Sequence, residues 1–503
     1  METIKSIWHH FSDKHDFPSL GQNIQTEVAV IGGGITGITT GKLLARAGFP
    51  SVVLESNAVG SGTTSYSTGN LYYTVDDQLS SLEGKYDIDR VKRIAASRSE
   101  TLQQMTRWIQ DLSLDCDYKK VPWYLYSSNK ENMKTIRDEL QTGKEAGLSV
   151  REANIHEIPF SLTSAISIPA QAQINPMRYV QELAATIKNA NCQIYQHSRV
   201  LSIQRKNGEY LLQTSRGDVT AKNVVHATHT PKGIKFVQTL LGPYREYGIA
   251  CRINGTNHPE GIFWGLYNEG TVISSRTYRR NGETYLIIVG KPHKVGHKEN
   301  NEEIIASLEE FAQTHFDVQE TTFRWGGQHY RPADLLPFIG PVKKGSTEFI
   351  ATGYSTDGLV YGTLAAHILT DMITGQDNKW ADLYDSTRKQ PLKSGPKFLK
   401  ENIDVASHYI KDMVGPGDFP VKELKKGEGK IIKKEGKRLA VSRNEDGELE
   451  VISAVCTHMG CNVHWNNAEK SWDCPCHGSR FSTDGTVLEG PALDPLPKNP
   501  IRM

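Results

Sequence analysis

Two short segments near the C-terminus combine cysteine and histidine at spacings typical of metal ligands. The first reads CTHMGC from Cys456 to Cys461, and the second reads CPCHGS from Cys474 to Ser479. They contain four of the seven cysteines of the chain. Thiol and imidazole groups concentrated in this way predict a small domain that folds around a metal centre, and the residue types alone leave zinc or iron open.

The two segments resemble the cluster loops of Rieske proteins, in which one iron of a 2Fe-2S cluster takes two thiolates and the other takes two imidazoles. The resemblance implies four ligands, which are Cys456, His458, Cys474 and His477. Zinc is the alternative. The C-x-H and C-x-x-H spacings, the flanking Pro475 and Gly478, and the 15 residues 459–473 between the ligand pairs favour the Rieske interpretation.

The same resemblance implies a disulfide between Cys461 and Cys476, as in the Rieske proteins of cytochrome complexes. Ser479 is expected to donate a hydrogen bond to a cluster sulfur. High-potential relatives usually carry a tyrosine at the position of Phe481, so we expect a reduction potential below the top of the range of roughly −150 to +300 mV. We expect the two ligand histidines to be exposed, where electrons would enter or leave.

The composition excludes several classes of partner. The net charge is +1 and the hydrophobic content is 38%, which indicates a globular protein without electrostatic bias toward nucleic acid or membranes. No segment approaches the roughly 18 apolar residues of a membrane span, and no signal peptide is recognised at the N-terminus. The sequence therefore predicts a cytoplasmic protein without a nucleic-acid partner and without an integral membrane segment.

A dinucleotide-binding fingerprint begins at Glu27. The β-branched run EVAVI leads into a glycine-rich turn, a helical segment, and a second strand, SVVLE, that ends in an acid. Glycine in the turn allows the backbone to approach a pyrophosphate, the helix N-terminus favours its charge, and the terminal acid accepts ribose hydroxyls. The predicted cofactor contacts in this region are Gly32, Gly34, Gly37 and Glu55.

Several further segments resemble the D-amino-acid oxidase and glycine oxidase superfamily, which binds FAD. They are VGSGTTSYSTGNL (59–71), VVHATHTP (224–231), RWGGQHYRPADLLPFIGP (324–341) and FIATGYSTDGLVYGTLAAHILTDMITG (349–375). The resemblance implies that Gly353 and Gly358 contact the flavin beside a helix N-terminus. Gln328 and His329 stand where some relatives carry a linking cysteine, so we expect no thiol-linked flavin.

The order of these segments is similar to that of bacterial FAD-dependent oxidoreductases with a C-terminal Rieske domain. The predicted fold class is α/β, with a Rossmann-like FAD-binding domain interleaved with an antiparallel-sheet substrate domain and followed by a small all-β Rieske domain. The predicted boundaries are 1–387 for the oxidoreductase, 388–420 for a linker and 421–503 for the Rieske domain.

The resemblance implies FAD-dependent oxidation of a small-molecule substrate, either an amine, an amino acid or a related compound, with electrons passed singly to the cluster. An electron-transfer protein is a possible partner. The alternatives are an electron-transfer protein that serves a separate oxygenase or reductase, and a redox sensor. We name no catalytic base. Weaker candidates for the substrate pocket are Tyr247, Tyr267, Tyr278 and Tyr285, and candidates for binding a substrate carboxylate are Arg245, Arg276 and Arg331.

Overall fold

The computed structural model describes residues 5–12, 15–187, 191–255, 258–267, 271–388 and 419–498. The predicted linker 388–420 lies almost wholly outside the described residues. The helices are, in chain order, α1 (Ile7–His10), α2 (Ile35–Arg46), α3 (Leu79–Glu83), α4 (Ile88–Asp111), α5 (Met133–Glu145), α6 (Pro176–Ala185), α7 (Glu302–His315), α8 (Gly358–Thr374) and α9 (Ala381–Tyr384). None of the helices in these ranges is both long enough and apolar enough to cross a membrane.

The strands fall into three regions of the chain. In the first half they are β1 (Ile24–Ile31), β2 (Ser51–Leu54), β3 (Asn70–Leu71), β4 (Lys119–Ser127), β5 (Arg151–Glu152), β6 (Ser164–Gln173), β7 (Cys192–Tyr195), β8 (Val200–Lys206), β9 (Glu209–Thr214) and β10 (Asp218–His226). They continue as β11 (Leu241–Ile253), β12 (Ile262–Leu266), β13 (Val272–Arg280), β14 (Glu283–Lys294), β15 (Val318–Pro332), β16 (Phe338–Pro341) and β17 (Glu348–Thr352). The C-terminal strands are β18 (Gly429–Lys434), β19 (Lys437–Arg443), β20 (Leu449–Ser453), β21 (His464–Asn466), β22 (Ser471–Asp473), β23 (Arg480–Phe481) and β24 (Val487–Glu489).

The first sheet forms around β1, which is the β-branched run of the fingerprint. Its strand order is β16-β17-β10-β1-β2-β7, with β9 paired to β10 and β8 paired to β9. The central neighbours β10, β1, β2 and β7 run parallel. Because a parallel sheet is covered on both faces, these strands are apolar runs, and Val28 and Val30 pack with residues of α2 and α8 in one core. This is the predicted Rossmann-like arrangement.

The second sheet has the order β15-β11-β14-β13-β12-β4-β6-β3, with β5 paired to β6. Its pairs are antiparallel except for β12 with β4. The chain crosses from the first sheet to the second and back, since β3 to β6 and β11 to β15 lie in the second sheet while β7 to β10 and β16 to β17 lie in the first. The predicted interleaving of the two domains is therefore confirmed.

The C-terminal domain consists of two small antiparallel sheets. One has the order β18-β19-β20 and the other β21-β22-β23-β24. Its core contains Trp472 and Phe481, both fully buried, together with all four cysteines of the two motifs. A domain this small has little apolar area to bury, so the cysteine-rich loops contribute to its core. The predicted small all-β domain is confirmed.

Candidate functional site

The fingerprint glycines form a tight turn between β1 and α2. Gly32 has φ +107°, a conformation that other residues rarely adopt. The amide of Gly33 donates a 2.7 Å hydrogen bond to Oε2 of Glu55, so the acid at the end of β2 is held beside the turn. Gly34 is the N-cap residue of α2. At Gly37 a Cβ atom would overlap the carbonyl oxygen of Gly32, which explains the need for glycine.

The second predicted flavin motif lies at the start of α8. Gly353 has φ +77° and packs so closely on Pro332 that a Cβ atom would lie 2.7 Å from its ring. Asp357, which precedes Gly358 at the start of the helix, is buried, pairs with Arg98 at 3.2 Å and accepts a 3.1 Å bond from the amide of Asp76. These contacts fix the backbone of residues 353–358 at the helix N-terminus.

A cleft joins both motifs. Its lining includes Gly32, Gly34 and Glu55 from the fingerprint, residues 354–356 and Gly358 from the second motif, residues 62–64 and 66–67, residues 327–330 of β15, and residues 488–490 of the C-terminal domain. Two of the six predicted flavin contacts, Gly37 and Gly353, are not among the residues that line the cleft. They lie behind these residues and shape the backbone of the two turns.

The charges in the cleft suit a dinucleotide that contains a pyrophosphate. Arg199 and Lys232 both line it, and burial together with the positive charge of Arg199 lowers the pKa of Lys232 to about 8. A bound diphosphate would relieve this repulsion, while Glu55 remains available to ribose hydroxyls. The residues present therefore fit FAD.

A Gly37→Ala substitution is expected to abolish flavin retention. The added methyl would force the first turn of α2 away from Gly32, and the backbone approach to the pyrophosphate depends on that turn. The measurement is flavin content per chain after purification. Gly21→Ala is the matched control, because nothing lies within 4 Å of a Cβ there; equal flavin content in the two variants would contradict the assignment.

The weaker substrate candidates are wrong. Among the described residues, none of the four tyrosines lines the cleft: their hydroxyl groups bond to other parts of the protein, Tyr247 to Asn466, Tyr267 to Tyr126, Tyr278 to Asp117 and Tyr285 to Glu283. The arginines are engaged as well, Arg276 with the carbonyls of Thr68 and Ile174, Arg331 with Asp77, and Arg245 with Glu469 of the C-terminal domain.

Sequence reasoning missed Glu246, which does line the cleft. It follows Arg245 on β11, and successive side chains of a strand point to opposite faces of the sheet. Arg245 faces the C-terminal domain, so Glu246 faces the cleft. Burial, with a smaller contribution from Asp76, raises the pKa of Glu246 to about 8. The sequence shows that side chains alternate along this strand. It does not show which face of the sheet lies against the cleft.

The two cysteine and histidine loops meet at the tip of the C-terminal domain. The thiols of Cys456 and Cys474 hydrogen-bond to each other. The imidazole rings of His458 and His477 lie with their centroids 4.9 Å apart. The Nδ1 atoms of both rings are buried and have no hydrogen-bond partner among the described residues. Two adjacent thiols and two unpartnered imidazole nitrogens fit a 2Fe-2S cluster with mixed ligands.

A disulfide joins Cys461 to Cys476, whose Cα atoms are 6.5 Å apart. The sulfurs of Cys461, Cys474 and Cys476 lie within 4.8 Å of one another, and because two of the three are bridged, Cys474 is the one that can bind a metal. Ser479 hydrogen-bonds to the thiol of Cys456. Its hydroxyl is thus beside a ligand sulfur.

Replacing both Cys461 and Cys476 with alanine is expected to lower the free energy of unfolding of the C-terminal domain by about 3 kcal/mol, the loop-closure value for a loop of about 15 residues. Thermal unfolding followed by the visible absorption of the cluster would measure this. The matched control is Cys192→Ala, a buried free cysteine of the other domain. An unchanged midpoint in the double variant would show that the bridge does not stabilise the cluster loops.

The expectation that the ligand histidines are exposed is wrong. His458 is 8% exposed and His477 is 9% exposed, because both lie against the oxidoreductase domain. Nε2 of His458 is 3.1 Å from Oε1 of Gln238. The hydroxyl of Tyr330, a residue that also lines the cleft, donates to the carbonyl oxygen of His477 at 3.2 Å. The loop that carries His477 therefore contacts a residue that lines the cleft.

A buried ion network holds the two domains together. Arg245 of β11 pairs with Glu469 of the C-terminal domain, and Glu469 also pairs with Arg480 at 3.1 Å. Arg480 pairs in turn with Asp473 at 3.0 Å. Burial alone would raise the pKa of Glu469, but the two guanidinium groups lower it to about 2. The pair is charged and largely shielded from water, so it fixes the orientation of the domains.

Comparison with known families agrees with both sites. The family model "FAD dependent oxidoreductase" matches residues 27–372, and the model "Rieske [2Fe-2S] domain" matches residues 418–500. The first match covers more than half of the chain. Glycine oxidase from Geobacillus kaustophilus has a similar fold, with a TM-score of 0.59 and 18% identity, over 73% of this chain and 99% of its own.

Two relatives extend the comparison along the sequence. A putative Rieske 2Fe-2S iron-sulfur protein, YhfW, of Bacillus subtilis is 28% identical over 498 residues, which cover 98% of this chain and 97% of the relative. A gamma-glutamylputrescine oxidoreductase of Escherichia coli is 27% identical over 393 residues, which cover 75% of this chain and 90% of the relative. The similarity to YhfW extends over both the oxidoreductase domain and the C-terminal domain. The similarity to the gamma-glutamylputrescine oxidoreductase covers three quarters of this chain.

Proposed function

The chain belongs to the family of FAD dependent oxidoreductases and carries a C-terminal Rieske domain, and from this premise we propose that it oxidises a small amine or amino acid and passes the electrons to its own cluster. When bound, FAD takes two electrons from the substrate as a hydride, whereas a Rieske cluster takes one electron at a time. The protein would then divide each two-electron oxidation into two single-electron steps.

The observation that carries the proposal is the position of Tyr330. Its ring lines the cleft, and its hydroxyl reaches the backbone of the ligand residue His477. The neighbouring Gln328 donates a 2.8 Å bond to the carbonyl oxygen of Gly478 in the same loop. The strand that closes the flavin site is thus hydrogen-bonded directly to the cluster loop.

The ligand set would be the one that the sequence implies. Cys456 and Cys474 would hold one iron, and His458 and His477 would hold the other through Nδ1, the ring atoms left without a partner. The bond between Nε2 of His458 and Gln238 leaves Nδ1 for the metal and orients the ring. Tyr330, which donates to the carbonyl oxygen of His477, also lines the cleft, and this supports the entry of electrons at the histidine side of the cluster.

The test is an anaerobic reduction of the purified holoprotein. We expect one compound from a panel of amines and amino acids to bleach the flavin absorption, followed by the electron paramagnetic resonance signal of the reduced cluster. NADH and NADPH are added separately. Reduction by a pyridine nucleotide alone would instead support an electron-transfer protein, and a preparation that contains zinc without iron would contradict the proposal.

A further inference from the structure

An acid without a partner faces the cleft from the antiparallel sheet. Glu246 of β11 pairs in register with Gly327 of β15, and both residues line the cleft. Within the ranges that the structure describes, its carboxylate forms no hydrogen bond and no ion pair, although the residue is half-buried. The carboxylate thus faces the open cleft and can pair with a group that enters it from outside the chain.

The charged neighbour that acts on Glu246 is an acid. The neighbouring charge that acts on it is Asp76, which lies beside the N-terminus of α8 through its bond to Asp357. The cations of the cleft lie elsewhere, since Lys232 is influenced by Arg199 and by Glu55 of the fingerprint. A substrate carboxylate placed beside Glu246 would therefore meet repulsion, and the guanidinium of Arg331, which acts on Asp76, is already paired with Asp77.

We propose that Glu246 binds the ammonium group of the substrate and accepts a proton from it, so that the substrate class is an amine without a carboxylate on the reacting carbon. This inference rests on the proposed function and narrows it. In the step, one N–H bond of the ammonium breaks and one O–H bond forms on Glu246. The amine becomes neutral and no electrons move, and the neutral amine is the form from which a hydride can leave.

The environment of Glu246 makes this proton transfer feasible. An ordinary glutamic acid has a pKa of about 4.3 and an alkylammonium group about 10.4, so transfer would be unfavourable by roughly six powers of ten. Burial, followed by the charge of Asp76, raises the pKa of Glu246 to about 8. The gap then falls to about two powers of ten, a difference that proton transfer coupled to a later irreversible step can overcome.

The test uses two compounds that carry no hydrogen on the carbon that bears nitrogen and therefore bind without being oxidised. tert-Butylammonium and 2-aminoisobutyrate differ by the exchange of one methyl for a carboxylate. Each is titrated into the holoprotein at about pH 9, where Glu246 is ionised and the ammonium groups are still protonated, while the flavin absorption spectrum is recorded. We expect tert-butylammonium to bind at least about tenfold more tightly, because like charges on the carboxylate and Glu246 repel.

A Glu246→Gln variant keeps the size of the side chain and removes its charge. We expect it to weaken the binding of tert-butylammonium by about 10- to 100-fold, the range for a lost hydrogen bond to a charged group. Glu320→Gln, at an exposed position of β15, is the matched control and should bind as the wild type does. Flavin content is measured in each variant to establish that the cleft is intact.

The outcomes separate this inference from the proposed function. Tighter binding of 2-aminoisobutyrate, or unchanged affinity in Glu246→Gln, would overturn the role of Glu246 while oxidation of an amino acid could still be correct. If neither compound binds and only NADH or NADPH reduces the flavin, both the inference and the proposed function are overturned.

Discussion

Replacing Arg245 with methionine is expected to slow reduction of the cluster by about 10- to 100-fold after the flavin has been reduced. Arg245 is 1% exposed and pairs with Glu469 across the boundary between the domains. Without Arg245, the buried carboxylate of Glu469 keeps Arg480, a partner of its own domain, and the ion pair that crosses the boundary is lost. In the docked arrangement Tyr330 contacts the cluster loop. Loss of the ion pair lowers the free energy that favours this arrangement over an undocked one.

Stopped-flow absorption at the flavin band and freeze-quenched electron paramagnetic resonance of the cluster would separate the two steps. We expect flavin reduction to keep its rate while the cluster signal is delayed. Arg252→Met is the matched control, because Arg252 lies on the same strand and is 38% exposed in its side chain. It pairs with Glu283 and Glu320, both outside the C-terminal domain.

A second variant tests whether the effect of Arg245→Met comes from the lost ion pair or from misfolding. Glu469→Gln keeps the shape of the C-terminal partner and removes its charge, so it should delay the cluster signal in the same way if the ion pair sets the docking. Both variants must retain flavin and iron for the comparison to count. If cluster reduction remains as fast as in the wild type with both cofactors present, docking through Arg245 does not control the transfer.

The role of Arg245 also shows where sequence reasoning fails. An arginine on a strand of the substrate sheet suggested a carboxylate ligand, and the prediction was reasonable for β11 taken alone. Its partner Glu469 lies 224 residues further along the chain. The pair forms only when the C-terminal domain packs on the sheet, and the sequence holds no local signal of that packing.

Patterns among residues that are close in the sequence predict more of the structure than single residues on a strand do. The fingerprint turn, the strand and helix around it and the spacing of the cluster motifs depend on residues near one another in sequence, and the structure brings each set together. The exposure of His458 and His477 depends on the neighbouring domain instead. Gln238, which contacts His458, belongs to a segment without a recognisable motif. Fold class could thus be predicted, but the surfaces on which the two domains meet could not.

Replacing His477 with cysteine is expected to change the cluster from a Rieske type toward a ferredoxin type. Imidazole ligands keep the potential in the range of roughly −150 to +300 mV, whereas thiolate-ligated clusters of plant type lie near −400 mV. The additional thiolate adds negative charge to the cluster. We therefore expect the reduction potential to fall by roughly 100 mV to several hundred millivolts. The electron paramagnetic resonance signal should lose the low average g value of a Rieske centre.

The substitution changes only the side chain, so the bond from Tyr330 to the carbonyl oxygen of residue 477 can persist. Docking is therefore retained while the driving force for accepting an electron falls, and the substrate-reduced flavin should no longer reduce the cluster. This result would distinguish His477→Cys from Arg245→Met, in which the electron paramagnetic resonance spectrum of the reduced cluster is unchanged but the signal appears later.

His464→Cys, on β21 of the same domain, is the matched control and should keep the Rieske spectrum. An unchanged spectrum in His477→Cys, with iron at the wild-type content, would remove His477 from the ligand set and with it the histidine side of the cluster as the point of electron entry.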